Sequence, residues 1–159
     1  YFIDTYKIPP EKIKVLPVGV NSQVFFPLEP KAPSNEFIVE YVGGFIPLHG
    51  MYHLVHAVKI IQDKGESNIK FNFIGSVFDF ERTKKLIKEL NVQNIEPTWW
   101  VNKLEFKPLV KNFDICLSIF GESINTDLVV PNKAYEYMAV KTCVLTKDTP
   151  AIRELFSDD

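Results

Sequence analysis

The chain has 159 residues, 46% of them hydrophobic and 24% charged, and a formal net charge of −2. That is one domain's worth of chain with enough apolar residues to bury a core, which excludes a disordered protein. The near-balanced charge gives no electrostatic case for nucleic acid or an anionic membrane surface, and no apolar run approaches the roughly 20 residues that span a bilayer. The first residues, interrupted by Asp4 and Lys7, do not read as a secretory signal. Cys116 and Cys143 each sit in an apolar run and read as buried, reduced thiols of a cytoplasmic protein. A disulfide between them requires those runs to be neighbouring strands with the sulfurs close.

In chain order, residues 1–7 predict the end of a helix closed by Ile8-Pro9-Pro10, and Ile13–Val18 a short strand ending at Pro17 and Gly19. Pro27, Pro30 and Pro33, followed by Ser34-Asn35, read as a linker and place the start of a domain near Glu36. Phe37–Val42, β-branched and aromatic, predicts the first core strand and stops at Gly43-Gly44. A helix follows from about His49 to Asp63, with Met51, Leu54, Val55, Val58 and Ile61 at helical spacing. Lys70–Ile74 predicts a second strand ending at Gly75-Ser76, Asp79–Leu90 a second helix, Ile95–Val101 a weaker strand and Leu104–Asn112 a helix. Asp114–Phe120 and Thr142–Thr146 read as the fourth and fifth strands, and Pro150–Phe156 as a partial helix.

This alternation predicts an α/β fold, a Rossmann-like parallel sheet with right-handed crossovers and helices on both faces. Ligands of such sheets bind at the carboxyl ends of the strands. Gly43-Gly44, Gly75-Ser76, Trp100-Val101, Gly121-Glu122 and Pro131-Asn132-Lys133 therefore fall along one rim.

The stretch Val129–Ala139 concentrates the chemistry. Pro131 suits a first helical position, because its missing N–H has no intrahelical partner there anyway. At about 100° per residue Asn132, Lys133 and Glu136 share one face, and Ala134, Tyr135 and Met138 the other. An exposed lysine, an amide and a carboxylate at the positive end of a helix suit an anion with a hydroxylated neighbour, such as a nucleoside diphosphate. The alternative is an ordinary amphipathic helix with a solvated start. His49, His53 and His56 share one face of the preceding helix by spacing. With no carboxylate or cysteine nearby in sequence they read as a solvated face, and no metal site is expected. Trp99 and Trp100 are neighbours on a strand, so one of them must pack inward.

Three ordered pieces carry a family resemblance. They are Val130-Pro131-Asn132-Lys133 with Glu136, Met138-Ala139 and the later run Asp148-Thr149-Pro150-Ala151 with Arg153-Glu154-Leu155; Tyr41-Val42-Gly43-Gly44-Phe45 with His49-Gly50; and Lys14–Asn21 with Phe26-Pro27. Together they resemble the donor-binding half of GT-B glycosyltransferases, closest to the retaining family 4. The resemblance implies that residues 1–35 are the end of a first, acceptor-binding domain plus a linker. It also implies that 36–159 is a nucleotide-sugar-binding domain cut short at its C-terminus, so that the chain is an inactive piece of a larger enzyme. That enzyme would serve polysaccharide or glycoconjugate synthesis, without cofactor or metal, and would meet its acceptor and any peripheral membrane surface through the absent domain.

By the same resemblance Gly43, Gly44 and Gly75 give close backbone approach to the donor, and Lys133 and His49 hold its diphosphate. Pro131 and Asn132 flank that site, Glu136 binds the ribose, and Trp100 and Val101 flank the base. Two departures stand out: family members carry arginine where this chain has Gly44, and a first glutamate where it has Leu128. The loop from Gly121 to Val130 is also longer than usual, which makes Glu122 or Asp127 a candidate to approach the sugar. A non-catalytic GT-B-like module and a sugar-nucleotide epimerase of the same architecture stay open as alternatives. A receiver or flavodoxin-like domain is disfavoured, because no acidic cluster follows the first strand.

Overall fold

A computed structural model describes residues 2–27, 29, 31–75, 79–99 and 112–156. Five strands form one sheet in the order β3-β2-β1-β4-β5: β1 (Phe37–Val42), β2 (Ile69–Gly75), β3 (Ile95–Trp99), β4 (Ile115–Leu117) and β5 (Cys143–Leu145). Every pairing is parallel. The helices are α1 (Phe2–Tyr6), α2 (Met51–Asp63), α3 (Phe80–Glu89), α4 (Ile124–Asp127), α5 (Asn132–Ala139) and α6 (Pro150–Arg153). Strand β1 is central, and its Val39, Glu40 and Tyr41 are all buried, as a parallel strand covered on both faces requires. On one face Val39, Tyr41, Phe71 and Phe73 pack with Leu54, Val55 and Val58 of α2 and Ile87 of α3. On the other, Cys116 packs with Tyr137 and Val140 at α5 and with Phe25 and Phe113. The strand order reverses between β1 and β4, where a ligand crevice is expected.

Several expectations are corrected. Ile13–Val18 forms no strand; Val15 and Leu16 are 85% and 75% exposed, with no neighbouring strand among the described residues to pair with. Residues 2–19 lie largely exposed. Val20, Val24 and Phe25, however, join the core cluster at α5, and Lys31 pairs with Asp114 at 2.5 Å. Helix α2 begins at Met51, because His49 ends a separate 3-10 turn, Pro47–His49, and Gly50 breaks the path with a left-handed φ of 70°. His49 therefore does not share a helix face with His53 and His56. Pro131 is the capping residue before α5, with an extended ψ of 146°, and not the first helical residue. Cys143 is exposed and Cys116 buried. The register sets Cys143 beside Ile115 and Cys116 beside Val144, so the two sulfurs leave opposite faces of the sheet and no disulfide spans them. The expected helix over 104–112 lies outside the described residues.

Glu40 is fully buried on β1, next to Asn72 on β2 and Cys116 on β4, and neither carboxyl oxygen finds a regular hydrogen bond among the described residues. Burial pushes its pKa up to about 9, with the Asn72 amide pulling modestly the other way. A carboxyl whose folded pKa lies above its unfolded value of 4.5 contributes stability that is fully present below that value. The contribution is lost as pH rises toward 9, by at most about 1.4 kcal/mol per pH unit. Glu40→Gln keeps the shape and removes the titration. In urea unfolding it should stabilise the chain by on the order of 2 kcal/mol at pH 7.5, with the gain vanishing toward pH 5. A loss of stability at pH 7.5 would contradict a protonated Glu40.

Candidate anion-binding site

The site forms where the chain leaves β1 and β4. After β1 the Gly43-Gly44 turn folds back, with the Gly43 N–H donating to the Ile74 carbonyl at 3.0 Å. Gly75 at the end of β2 makes room for it: a Cβ there would stand 2.1 Å from the Gly43 carbonyl oxygen and 2.5 Å from the Phe45 ring. Gly75 thus shapes the turn from behind. The 3-10 turn carrying His49 is seated on the exit of β4. The Phe120 N–H donates to the His49 carbonyl (3.3 Å) and the Gly121 N–H to the Leu48 carbonyl (3.1 Å). A Cβ on Gly121 would lie 2.5 Å from the Leu48 carbonyl oxygen, so the bare glycine is what permits this contact.

Tyr41 is the hub. Fully buried, it donates its hydroxyl proton to the Gly44 carbonyl at 2.7 Å and stands 2.6 Å from Nδ1 of His49, and that Nδ1 lies 2.5 Å from the same carbonyl. A nitrogen this close to a carbonyl oxygen must carry the proton, so Nδ1–H donates and, in the neutral ring, Nε2 holds a lone pair. Lys133 comes in from the first turn of α5 and is 9% exposed. Its Nζ sits 4.0 Å above the Tyr41 ring, and a Cβ on Gly43 would be only 2.7 Å from it. No hydrogen-bond partner for this Nζ exists among the described residues. Burial lowers the Lys133 pKa to about 7, and Glu136, three residues on, opposes the shift. His49 is lowered to about 4, first by burial, then by the nearby Lys133, with the Gly44 carbonyl pulling it back up. A buried ammonium held only by a ring face is costly to the fold, and it is what an anion would complete.

Of the residues expected at the site, Gly43, Gly44, His49 and Lys133 come together. Pro131, Asn132 and Glu136 share the start of α5 with them, and Gly75 stands behind the turn. Lys133 is buried, not exposed as expected. The inner face of α5 is Lys133, Ala134 and Tyr137, rotated from the expected Ala134, Tyr135 and Met138. Glu122 stays out: its side chain is 81% exposed and lies 3.4 Å from Nε2 of His53, on the rim of a separate cavity of about 530 Å³ between α2 and α3. Asp127 pairs with Lys147 at 3.0 Å, and Lys147 also donates to the Gly121 carbonyl, so this segment is folded against the domain. Trp100 and Val101 lie outside the described residues. Tyr41 was missed as a site residue; the only signal was a tyrosine two positions before a glycine pair, at the end of a core strand.

The structure is an α/β domain whose parallel sheet carries a glycine turn, a histidine and a helix-start lysine at its topological switch, an arrangement suited to an anion. The pattern of the family Glycosyl transferases group 1 matches residues 25–159, and the chain belongs to that family. The MMP alpha-(1->4)-mannosyltransferase of Mycolicibacterium hassiacum is 29% identical over 93 residues, which is 58% of this chain and 22% of that protein. The chain thus matches about a fifth of that relative's length. A glycosyltransferase from Rickettsia africae has the same fold, with a TM-score of 0.71, 22% identity, and coverage of 98% of this chain and 44% of that one. So has the C-terminal domain of a glycosyl transferase group 1 family protein from Francisella tularensis, with a TM-score of 0.65 and 19% identity over 88% of this chain and 76% of that one. Among the described residues no helix is long and apolar enough to cross a membrane.

If Lys133 serves a ligand at the expense of the fold, Lys133→Met should raise stability, because it fills the same space without a buried charge. We expect a gain on the order of 1–3 kcal/mol in thermal unfolding at pH 6.5. The gain should shrink as pH rises past the depressed lysine pKa, since the neutral amine costs less. A drop in melting temperature at pH 6.5 would mark Lys133 as a structural residue.

Proposed function

We propose that the chain is the donor-binding domain of a retaining, family 4-like GT-B glycosyltransferase. The whole enzyme would move a sugar from a nucleotide-sugar to an acceptor held by a preceding domain. One observation carries this reading: the Lys133 ammonium, buried without a hydrogen-bond partner among the described residues, between the Gly43 turn and the start of α5. A pyrophosphate placed there meets a lysine, a helix N-terminus and a bare glycine backbone, the groups that stabilise a departing diphosphate. In the reaction the anomeric C–O bond to the nucleotide breaks, the acceptor oxygen bonds to the same carbon with retention, and the acceptor's hydroxyl proton passes to the departing diphosphate. The charge left on the diphosphate is met by Lys133, His49 and the α5 dipole, with no metal assigned a role. Glu136 takes the ribose hydroxyls, and Trp100 and Val101 flank the base. Polysaccharide or glycoconjugate synthesis in the cytoplasm is the corresponding setting. The mannosyl transfer named for the Mycolicibacterium relative is consistent with this class of chemistry.

A second reading, a non-catalytic GT-B-like binding module, is favoured by Leu128. It is an apolar side chain, 68% exposed, at the position of the family's first glutamate. The two readings part when the chain is joined to its acceptor domain, since only the first transfers sugar.

Titration of the chain with UDP-, GDP- and ADP-sugars should give saturable binding of one of them, and Lys133→Met should abolish it. No binding by any, or binding indifferent to Lys133→Met, would overturn the assignment. Charge-assisted hydrogen bonds are worth roughly 1.5–3 kcal/mol against about 1 for neutral ones, so Glu136→Gln should cost on the order of 1–2 kcal/mol, or about 5- to 30-fold in affinity. Its melting temperature should hardly move. Unchanged affinity with a clear fall in melting temperature would remove Glu136 from the site.

A further inference from the structure

His49 stands at the site with its ring wired for neutrality. Its one proton, on Nδ1, is spent on the Gly44 carbonyl, the Tyr41 hydroxyl crowds the same nitrogen, and Lys133 stands nearby as a competing cation. The remaining ring nitrogen, Nε2, can donate to a phosphate oxygen only after the ring gains a second proton. Lys133 is in a similar position: its Nζ lies over the Tyr41 ring, in the space a Gly43 side chain would fill, with no acceptor among the described residues, so its burial favours the amine over the ammonium.

Resting on the nucleotide-sugar reading, we propose that the diphosphate enters together with a proton from solvent, so that Lys133 becomes fully charged only when the anion lies beside it.

The surrounding charges fit. Among the described residues, the ionisable groups facing this pair are Tyr41 from β1, which burial keeps as the neutral phenol, and Glu136 from α5, which favours charge on Lys133. Tyr137, on the same helix, is likewise held neutral by burial and accepts from the Val42 N–H. From the β4 exit the nearest acid is Glu122, which is turned toward His53. Among the described residues no carboxylate is hydrogen-bonded or ion-paired to Nζ of Lys133 or to the His49 ring. A pyrophosphate supplies the missing negative charge and raises both pKa values, Lys133 from about 7 and His49 from about 4. The sign follows: binding is strongest at low pH and weakens as pH rises through the lysine's depressed value.

The test is calorimetry of the chain with UDP-glucose and GDP-mannose, whose pyrophosphate diesters carry no group titrating between about pH 6.5 and 8. Whichever binds should weaken about tenfold from about pH 6.5 to pH 8. At the higher pH, heats measured in Tris and in HEPES should differ by the amount that corresponds to uptake of nearly one proton per ligand. Binding of unchanged strength across this range, with heats independent of buffer, overturns proton coupling while the nucleotide-sugar reading stands. If neither nucleotide-sugar binds at any pH, that reading falls and the coupling falls with it.

Discussion

A lysine ammonium pressed against a tyrosine ring, with no acceptor among the described residues, is the interaction on which the rest of the site depends. Lys133 is placed there by three independent parts of the chain. Strand β1 supplies Tyr41 beneath it, the turn after β1 supplies Gly43 beside it, and α5 delivers it from its first turn. Substituting any of the three would change what the ammonium touches. The arrangement costs stability, because a charge removed from water finds only a ring quadrupole in exchange. Sites that carry such a cost are commonly those where a ligand restores the balance.

The scaffold around this group is rigid for reasons that can be named. The sheet order places the exits of β1 and β4 side by side, at the point where the strand order reverses. Glycines at 75 and 121 let backbone segments approach more closely than any side chain would allow, and those contacts fix the turn bearing His49. Tyr41 then links the turn to the sheet through its hydroxyl and to α5 through its ring. The segment after β4 is held separately by Lys147, which engages both Asp127 and the Gly121 carbonyl.

Much of the fold was legible in the sequence. Period-2 and period-3.6 hydrophobic patterns located all five strands and the principal helices in order, since strand burial and helical stripes are properties of local sequence. Boundaries failed where local sequence was overruled. Gly50 stops a helical pattern that extends back to His49, and Ile13–Val18 has strand-like residues but no neighbour to pair with. The site was legible as a set of residues along one rim, because the carboxyl ends of parallel strands converge. The state of those residues was not legible. Helical periodicity turned Lys133 outward, but the tertiary contact with Tyr41 draws it in and brings Tyr137 to the inner face. Glu122 and Asp127 were candidates because their loop reads as longer than usual; their partners, His53 and Lys147, are distant in sequence or on another element. Tyr41 escaped notice because an inward aromatic on a core strand ordinarily signals packing, and only the structure reveals what its hydroxyl meets.

The central claim is that Lys133 is kept without a partner in order to meet the diphosphate of a nucleotide-sugar. A crystal structure of the chain with its bound nucleotide-sugar tests it most directly. The account predicts a pyrophosphate oxygen in hydrogen-bond distance of the Lys133 Nζ, beside Gly43 and the first turn of α5. A nucleotide bound elsewhere, with the Lys133 ammonium still resting on the Tyr41 ring and touching no acceptor, would contradict it.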